Sequence, residues 1–271
     1  MSLNLLRYYL RRETPLVLLY GALLFALSFW FVYMYPLFGG QQELVAFLRR
    51  MPKPLKAFVG GEYAEMVSLN GVAAFACIHP LVMLIFSMFL FGFPSKVITL
   101  QVERGTFDFL LTRPLSRTSF YVTSLAFFVV VVALLAVCAW LGTATGGRVV
   151  KVAGEQLRLG RFALAQLNGY ALALAVGGLA FCFAAALSSR GAALGLPLGI
   201  VAALYFIHFV SAWWEPAANW GPVSIFYYYQ PQRVILAYAS PVRNTAILLA
   251  FSAVLYALGG VIFARRDIRA V

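Results

Sequence analysis

Six stretches of this sequence, each longer than twenty residues, contain no Asp, Glu, Lys or Arg. A helix needs about 20 apolar residues to cross the hydrocarbon core of a bilayer. The stretches are apolar throughout and do not alternate with a period of two, so they predict helices rather than barrel strands. We therefore expect an all-α polytopic membrane protein, a single transmembrane domain over residues 1–271 with both termini on one side. The predicted spans are residues 14–35, 68–93, 118–141, 162–188, 192–214 and 244–264.

Composition excludes a soluble domain and narrows the choice of partners. The chain is 63% hydrophobic and 11% charged, whereas soluble domains carry about a quarter charged residues. Its formal net charge of +12 would suggest nucleic acid if the chain were soluble. The basic residues lie between apolar stretches, however, so we expect them to meet lipid headgroups and expect no nucleic-acid partner.

Cysteine and histidine residues are the first candidates for chemistry. The cysteines lie in three different apolar stretches, which predicts neither a disulfide nor a metal site: Cys77, Cys138 and Cys182. His79 and His208 lie in the second and fifth predicted spans, where an ionisable group is a candidate functional residue. No GxSxG or HExxH motif accompanies them, so we predict no catalytic residue and no enzyme. Because His79 precedes Pro80, we expect it to serve a kinked helix or a substrate path.

Two connecting segments have patterns of their own. The first, residues 44–58, carries an apolar stripe and a basic stripe, which predicts an amphipathic segment on the extracytoplasmic membrane surface. Such a segment would either pack against the spans or act as a gate. The second, residues 213–241, is rich in aromatic residues and proline and nearly uncharged, which predicts short interfacial or re-entrant helices.

Small residues recur at every fourth position along the first half of the fifth predicted span, beginning one residue before it. This spacing places the row on one side of a helix, where another backbone could approach closely. We expect a close helix contact there, either within the chain or across a dimer seam, with a chance arrangement as the alternative. The residues are Gly191, Gly195, Gly199 and Ala203, and we call them the small-residue row.

Residues 101–117, QVERGTFDFLLTRPLSR, form a charged element between the second and third predicted spans. Gly105 and Pro114 predict two short helical pieces, with Thr106 capping the second piece and Asp108 in its first turn. Phe107, Leu110 and Leu111 would then lie on one apolar face. An apolar face on so small an element indicates a separate soluble subunit, bound as a helix in a groove.

The stretch ERGTFDFLLTRPLSR, residues 103–117, resembles the signature of ABC-2 type ABC-transporter permeases. That signature has a glutamate before Gly-Thr, then an acidic residue, a Leu-Leu pair and Pro-x-Ser-Arg. Phe107 and Asp108 depart from it mildly, because Leu and Glu are more usual there. The matching residues are Glu103, Gly105, Thr106, Asp108, Leu110, Leu111, Pro114, Ser116 and Arg117.

The resemblance implies that the charged element is a cytoplasmic coupling helix that docks on an ABC ATPase subunit. Phe107, Leu110 and Leu111 would enter the ATPase groove, with Glu103, Arg104 and Asp108 as the polar rim. Gly105, Thr106 and Pro114 would shape the element, and Arg113 and Arg117 would anchor its exit at the headgroups.

The resemblance also implies which subunits make up the complex. No GxxxxGK motif followed by Ser or Thr is present, so this chain binds no ATP, and ATP and Mg would be held by two copies of the partner ATPase. A second permease copy or a paralogue would complete the complex, which would act as an exporter. The expected location is a prokaryotic plasma membrane, with both termini cytoplasmic. The Lys and Arg count does not decide the orientation, because eleven fall on one side and ten on the other.

Three alternatives to an ABC permease stay open at this point. An intramembrane enzyme would need the motifs that the sequence lacks. An ATP-independent channel or secondary transporter would usually bury acidic groups, and the six predicted spans contain no Asp or Glu. A membrane adaptor could transmit mechanical work from the ATPase to an extracytoplasmic partner, and the sequence barely separates this from transport.

Overall fold

The computed structural model describes residues 2–38, 50, 52, 68–105, 116–151 and 155–266. The predicted amphipathic segment lies outside these residues except for Arg50 and Pro52, and so do residues 106–115 of the charged element. Within the described part the chain is helical and forms no β-strand, which confirms the all-α fold class.

Six helices of the described part are long and apolar enough to cross a membrane, and each coincides with one predicted span. The two shortest have 24 residues, or about 36 Å at 1.5 Å per residue, which exceeds the roughly 30 Å of hydrocarbon. We call them the first to sixth spans in chain order. Their bounds are Leu3–Tyr33, Leu69–Glu103, Arg117–Val149, Leu159–Ala186, Arg190–Trp213 and Val242–Arg265.

The first span begins eleven residues earlier than predicted. Its opening turns carry arginines and were therefore not counted as apolar, yet Leu5, Tyr9 and Glu13 are buried along one side. The Tyr9 hydroxyl lies 2.9 Å from Ser124 Oγ on the third span. Packing against the third span thus extends the helix towards the N-terminus, beyond its apolar part, as far as the cap residue Ser2. We call the end of the bundle that carries Ser2 the near end, and the opposite end the far end.

Serine residues fix the start of three spans. The hydroxyls of Ser2, Ser68 and Ser116 each accept a hydrogen bond from the backbone amide three residues later, at 3.1–3.4 Å. A side-chain oxygen at this position satisfies one of the amides that a helix leaves unpaired at its start. These caps set the starts of the first, second and third spans.

The second span is broken in its first third, after seven residues. An α-helix, Leu69–Phe75, continues as a 3₁₀ turn, Ala76–Ile78, and an α-helix restarts at Pro80. His79 has extended backbone at the break, and its Nδ1 accepts a hydrogen bond from the Leu81 amide at 3.3 Å. The histidine therefore caps the helix after the kink, one of the two roles expected for it.

A π-helical turn, Ser95–Thr99, interrupts the same span again near its end. It follows the α-helix Pro80–Pro94 and precedes the last turn, Leu100–Glu103. π-Helical turns inside α-helices are rare and occur frequently at functional sites. The second span is thus jointed in two places, one of them directly before the charged element.

The first and third spans pack backbone to backbone. A Cβ atom added at Gly142 would lie 2.2 Å from the Phe25 carbonyl oxygen, and one at Gly146 would lie 2.8 Å from Val32 Cβ. Only glycine leaves room for this approach, and the pair has the Gly-x-x-x-Gly spacing typical of close membrane helices. The sequence interpretation singled out a different row of small residues and missed this one.

The fourth span forms the centre of the bundle and the fifth span its edge. The buried share of the most apolar stretch is 72% in the fourth span and only 11% in the fifth. The fourth span packs closely on the sixth, where a Cβ at Gly259 would lie 3.2 Å from Cys182 Cα. The fifth span is held mainly by its ends and by the segment that follows it.

That following segment turns back into the bundle. It contains three short helices, Glu215–Val223, Ile225–Tyr228 and Pro231–Ile235. Ser224 is buried and donates to the Leu204 carbonyl at 2.7 Å, nine residues or about 14 Å before the fifth span ends. The predicted short helices are present, and the hydrogen bond to Leu204 favours the re-entrant alternative over the interfacial one. Irregular backbone is tolerated at this depth only where protein or a water-lined cavity surrounds it.

We predict that Gly142→Ala destabilises the fold, because the new methyl would meet the backbone of the first span. Overpacking of this kind costs about 1–3 kcal/mol and would lower the Tm by several degrees. The measurement is the Tm of the detergent-solubilised chain, followed by size-exclusion chromatography after heating. The matched control is Gly92→Ala, where a Cβ meets nothing within 4 Å and the Tm should hold or rise slightly. Equal Tm values for the two variants would contradict the packing described for the first and third spans.

Candidate functional site

The second span leads into the charged element through a left-handed turn. Its last helical residue is Glu103, Arg104 follows as the C-cap, and Gly105 has a φ of +63°. The Gly105 amide donates to the Val102 carbonyl at 3.1 Å. A glycine at this position relieves the strain that any Cβ would bring, so the first helical piece can end in this turn. The predicted second piece lies outside the described residues.

Most of the predicted docking residues lie outside the part of the chain that the structure describes. Their docking role stays a prediction: Thr106, Phe107, Asp108, Leu110, Leu111 and Pro114. The described members are Glu103, Arg104, Gly105 and Arg117, all at the near end of the bundle. The Arg117 guanidinium donates to the Arg266 backbone oxygen after the sixth span. Its predicted contact with headgroups also stays a prediction.

The last turns of the second span contact three other spans through polar side chains. We call Lys96, Thr99 and Glu103 the contact row, because they follow one another at intervals of three and four residues. Each bonds a different neighbour. Their partners are Glu13 on the first span, the Ala184 carbonyl on the fourth and the Arg190 amide on the fifth. The segment that precedes the charged element is therefore joined to most of the bundle.

Lys96 and Glu13 form an ion pair between the second and first spans. Lys96 Nζ lies 2.7 Å and 2.9 Å from the two carboxylate oxygens of Glu13. The Glu13 side chain is 3% exposed and that of Lys96 is 30% exposed. A buried carboxylate without its cation would be costly, so the pair fixes the first span against the π-helical turn.

The ion pair corrects one sequence argument. The predicted first span started at residue 14, so all six predicted spans lacked acidic residues. The helix starts at Leu3 instead and includes Glu13, because its amphipathic opening turns pack on the third span. The carboxylate is neutralised by Lys96 and does not stand free in the bundle.

Glu103 closes the start of the fifth span. Its Oε2 accepts a hydrogen bond from the Arg190 amide at 2.6 Å. The fifth span has an N-cap residue of its own, Ser189, but the Ser189 side chain makes no capping hydrogen bond. A carboxylate at this position also interacts favourably with the positive end of the helix dipole. Glu103 was predicted as part of the polar rim for the ATPase, and in this chain it bonds the fifth span.

Arg266 closes the end of the fourth span in the same region. Its Nη1 donates to the carbonyls of Ala185 and Leu187 at 2.9 and 3.0 Å, and its Nη2 to Ser188 Oγ at 2.5 Å. A cation at a helix C-terminus complements the dipole. Burial lowers the pKa of the Arg266 guanidinium from its ordinary value, which reflects how far the group is enclosed. The short link between the fourth and fifth spans is thus held on both sides by opposite charges.

The far end has a comparable carboxylate contact. Glu155 accepts from the Tyr35 hydroxyl at 2.7 Å through one oxygen and from the Leu69 amide at 2.6 Å through the other. Asn70 adds two bonds to the same loop, to the Gln156 carbonyl and the Arg158 amide, both at 2.9 Å. These contacts fix the start of the second span.

The small-residue row faces away from the rest of the described chain. A Cβ added at Gly195 or Gly199 meets nothing within 4 Å, and one at Gly191 meets only Ser189 Oγ at 3.8 Å. Ala203 is exposed as well, while the buried residues of the span lie elsewhere on the helix. Of the two contacts expected for the row, the one within the chain is therefore wrong for the described residues. The contact across a dimer seam stays a prediction.

The described residues offer little support for a metal site or another reactive centre. No group of three His, Cys, Asp or Glu residues lies close enough together there to hold a metal ion. His208 has a buried Nδ1 without a hydrogen-bond partner in the described part.

The residues that the sequence interpretation missed are the partners of the contact row and the charges at the helix ends. Glu13, Arg190 and Arg266 carried a recognisable signal, because each is a charged residue at the edge of an apolar stretch. Their pairing depends on how the spans lie side by side, which the spacing along the chain does not contain. Thr99 carried no signal at all.

Comparisons with known proteins identify no family. No protein-family model matches the sequence, and no curated protein and no solved structure matches it either. The resemblance to ABC-2 permeases therefore rests on the residues of the signature itself.

We predict that Glu13→Ala destabilises the bundle, because it leaves Lys96 without its counter-charge. Breaking a buried pair costs about 3–5 kcal/mol, and we expect roughly 3 kcal/mol here because Lys96 still reaches solvent. The measurement is the Tm in detergent. The double variant Glu13→Leu with Lys96→Met removes both charges and should recover most of the loss. A double variant as unstable as Glu13→Ala would contradict the ion-pair account.

Proposed function

We propose that this chain is the transmembrane permease subunit of an ABC-2 type ABC transporter. It would couple ATP hydrolysis by a separate ATPase subunit to the export of a substrate across a prokaryotic plasma membrane. The near end, with both termini and the charged element, would face the cytoplasm. The observation that carries the proposal is the signature in residues 103–117, which connects the second and third spans in the sequence.

The position of the signature fits a docking role. It begins where the second span ends in a left-handed glycine, and it follows a contact row that bonds three other spans. A force applied to the charged element would therefore act on several spans at once. An ordinary connecting loop needs no such set of contacts, whereas an element that receives work from a partner does.

The energy source in this proposal is outside the chain. The sequence has no phosphate-binding loop of the GxxxxGK type, so ATP and Mg would be bound by two copies of the partner ATPase. Binding of ATP would bring the two ATPases together and move the charged elements with them. The spans would tilt in response and open a path for the substrate.

The fifth span is the candidate dimer seam. Its small-residue row is exposed and it is the least buried span of the described chain. Small residues on an exposed membrane helix allow a second backbone to approach closely, and in lipid such packing replaces the hydrophobic effect between helices. We therefore place a second copy, or a paralogue, against Gly195, Gly199 and Ala203.

We predict that Leu110→Asp abolishes co-purification of the proposed partner ATPase, because it would bury an unpaired charge in the ATPase groove. The measurement is pull-down of that ATPase with the solubilised permease. Val149→Asp is the matched control, since it adds the same charge to an exposed apolar residue at the far end. Normal co-purification with Leu110→Asp would count against docking through residues 106–115.

We predict that Gly199→Leu weakens the dimer without unfolding the chain, because the leucine separates the two backbones where nothing within the chain opposes it. A tenfold loss of dimer corresponds to about 1.4 kcal/mol, which one bulky side chain at a close helix contact readily exceeds. The measurement is the dimer fraction in lipid nanodiscs at varied protein density. The control is Gly160→Leu, an exposed glycine outside the proposed seam. An unchanged dimer fraction would remove the fifth span from the seam.

A further inference from the structure

The contact row divides at the π-helical turn. Lys96 and Thr99 lie within that turn and are bonded to the first and fourth spans. Glu103 lies one turn beyond it, two residues before the left-handed Gly105, and is bonded to the fifth span. Lys96 and Thr99 thus fix one end of a short segment, while Glu103 stands at the end that continues into the charged element.

The start of the fifth span depends on Glu103 for its negative charge. Ser189 provides no side-chain cap, the first turn contains no acidic residue, and Arg190 adds a positive charge at the positive end of the helix dipole. The Glu103 carboxylate is exposed to solvent yet lies 2.6 Å from the Arg190 amide. Bonds between a carboxylate and a helix amide are short and strong compared with neutral hydrogen bonds.

The link before the fifth span permits a separate movement of that span. Leu187 and Ser189 both have extended backbone, so a short non-helical link joins the two spans. Arg266 holds the Leu187 side of the link through two carbonyls, which keeps the end of the fourth span in place. Glu103 holds the other side, so the two spans are attached to different partners.

We propose that Glu103 is a positioning residue that makes the fifth span move with the charged element, rather than part of the ATPase contact. The inference rests on the proposed function and adds how the movement is transmitted. The π-helical turn serves as the hinge, held by Lys96 and Thr99, and Glu103 transfers the displacement to the Arg190 amide. The fifth span, being the least buried, is the one that responds.

The test uses the full chain in complex with its ATPase in proteoliposomes. The native cysteines are replaced, and spin labels are placed at Leu196→Cys on the fifth span and Arg7→Cys on the first, both exposed positions. Labelled chains are diluted with unlabelled ones, so that one intramolecular distance is measured. The two readouts are the amount of ATPase bound and the shift in this distance on addition of ATP.

We expect Glu103→Ala to retain the ATPase and to reduce the ATP-dependent shift at least about fivefold, the low end of typical coupling between sites. Glu103→Gln keeps an oxygen acceptor for the Arg190 amide and should recover part of the shift, which a general loss of stability would not produce. Glu215→Ala removes a carboxylate at the far end and is the matched control, with an unchanged shift.

Two results would overturn the inference. If Glu103→Ala no longer binds the ATPase, Glu103 belongs to the ATPase contact surface. If the ATP-dependent shift in the label distance is unchanged, Glu103 does not transmit the movement. If Glu103→Ala does not fold, Glu103→Asp decides, since its shorter side chain keeps the charge but withdraws it from the amide. In that variant an unchanged shift overturns the inference. A wild-type chain that binds no ATPase contradicts the proposed function instead, and the inference with it.

Discussion

Three helix ends of this bundle are closed by charged side chains from other parts of the chain, in addition to the serine caps at the starts of the first three spans. Every helix leaves amides at its start and carbonyls at its end without partners. Glu103 closes the fifth span, Arg266 the fourth and Glu155 the second. Each of these bonds crosses between elements far apart in sequence. The arrangement of the spans and the integrity of their ends therefore depend on the same few contacts.

The bundle combines a tightly packed part with a loosely attached part. Gly142 and Gly146 bring the first and third spans into backbone contact, and Gly259 lets the sixth approach the fourth. The fifth span has no comparable glycine contact within the described chain and is held mainly by its ends and by the short helices that follow it. This difference gives the proposed transporter a rigid frame and one span that is free to change its tilt.

The sequence predicts the six spans well because long uncharged stretches leave few alternatives. It misplaces the start of the first span, because the opening turns carry arginines and are stabilised by tertiary packing on the third. The spacing of small residues does not tell which row makes a contact: Gly195 and Gly199 were singled out but meet nothing within the described chain, whereas Gly142 and Gly146, at the same spacing, pack on the first span and were overlooked. The charge of Glu103 was evident, but its bond to the Arg190 amide depends on how two spans cross, which no local pattern records.

The hydrogen bond from Ser224 to Leu204 attaches the re-entrant helices to the body of the fifth span. These helices fill the far end of the bundle, where Tyr229 also donates to the Cys77 carbonyl beside the break in the second span. A change of tilt in the fifth span would carry these helices along. In the proposed transporter, one span would then link the two faces of the membrane, so that a movement started at the near end would also be felt at the far end.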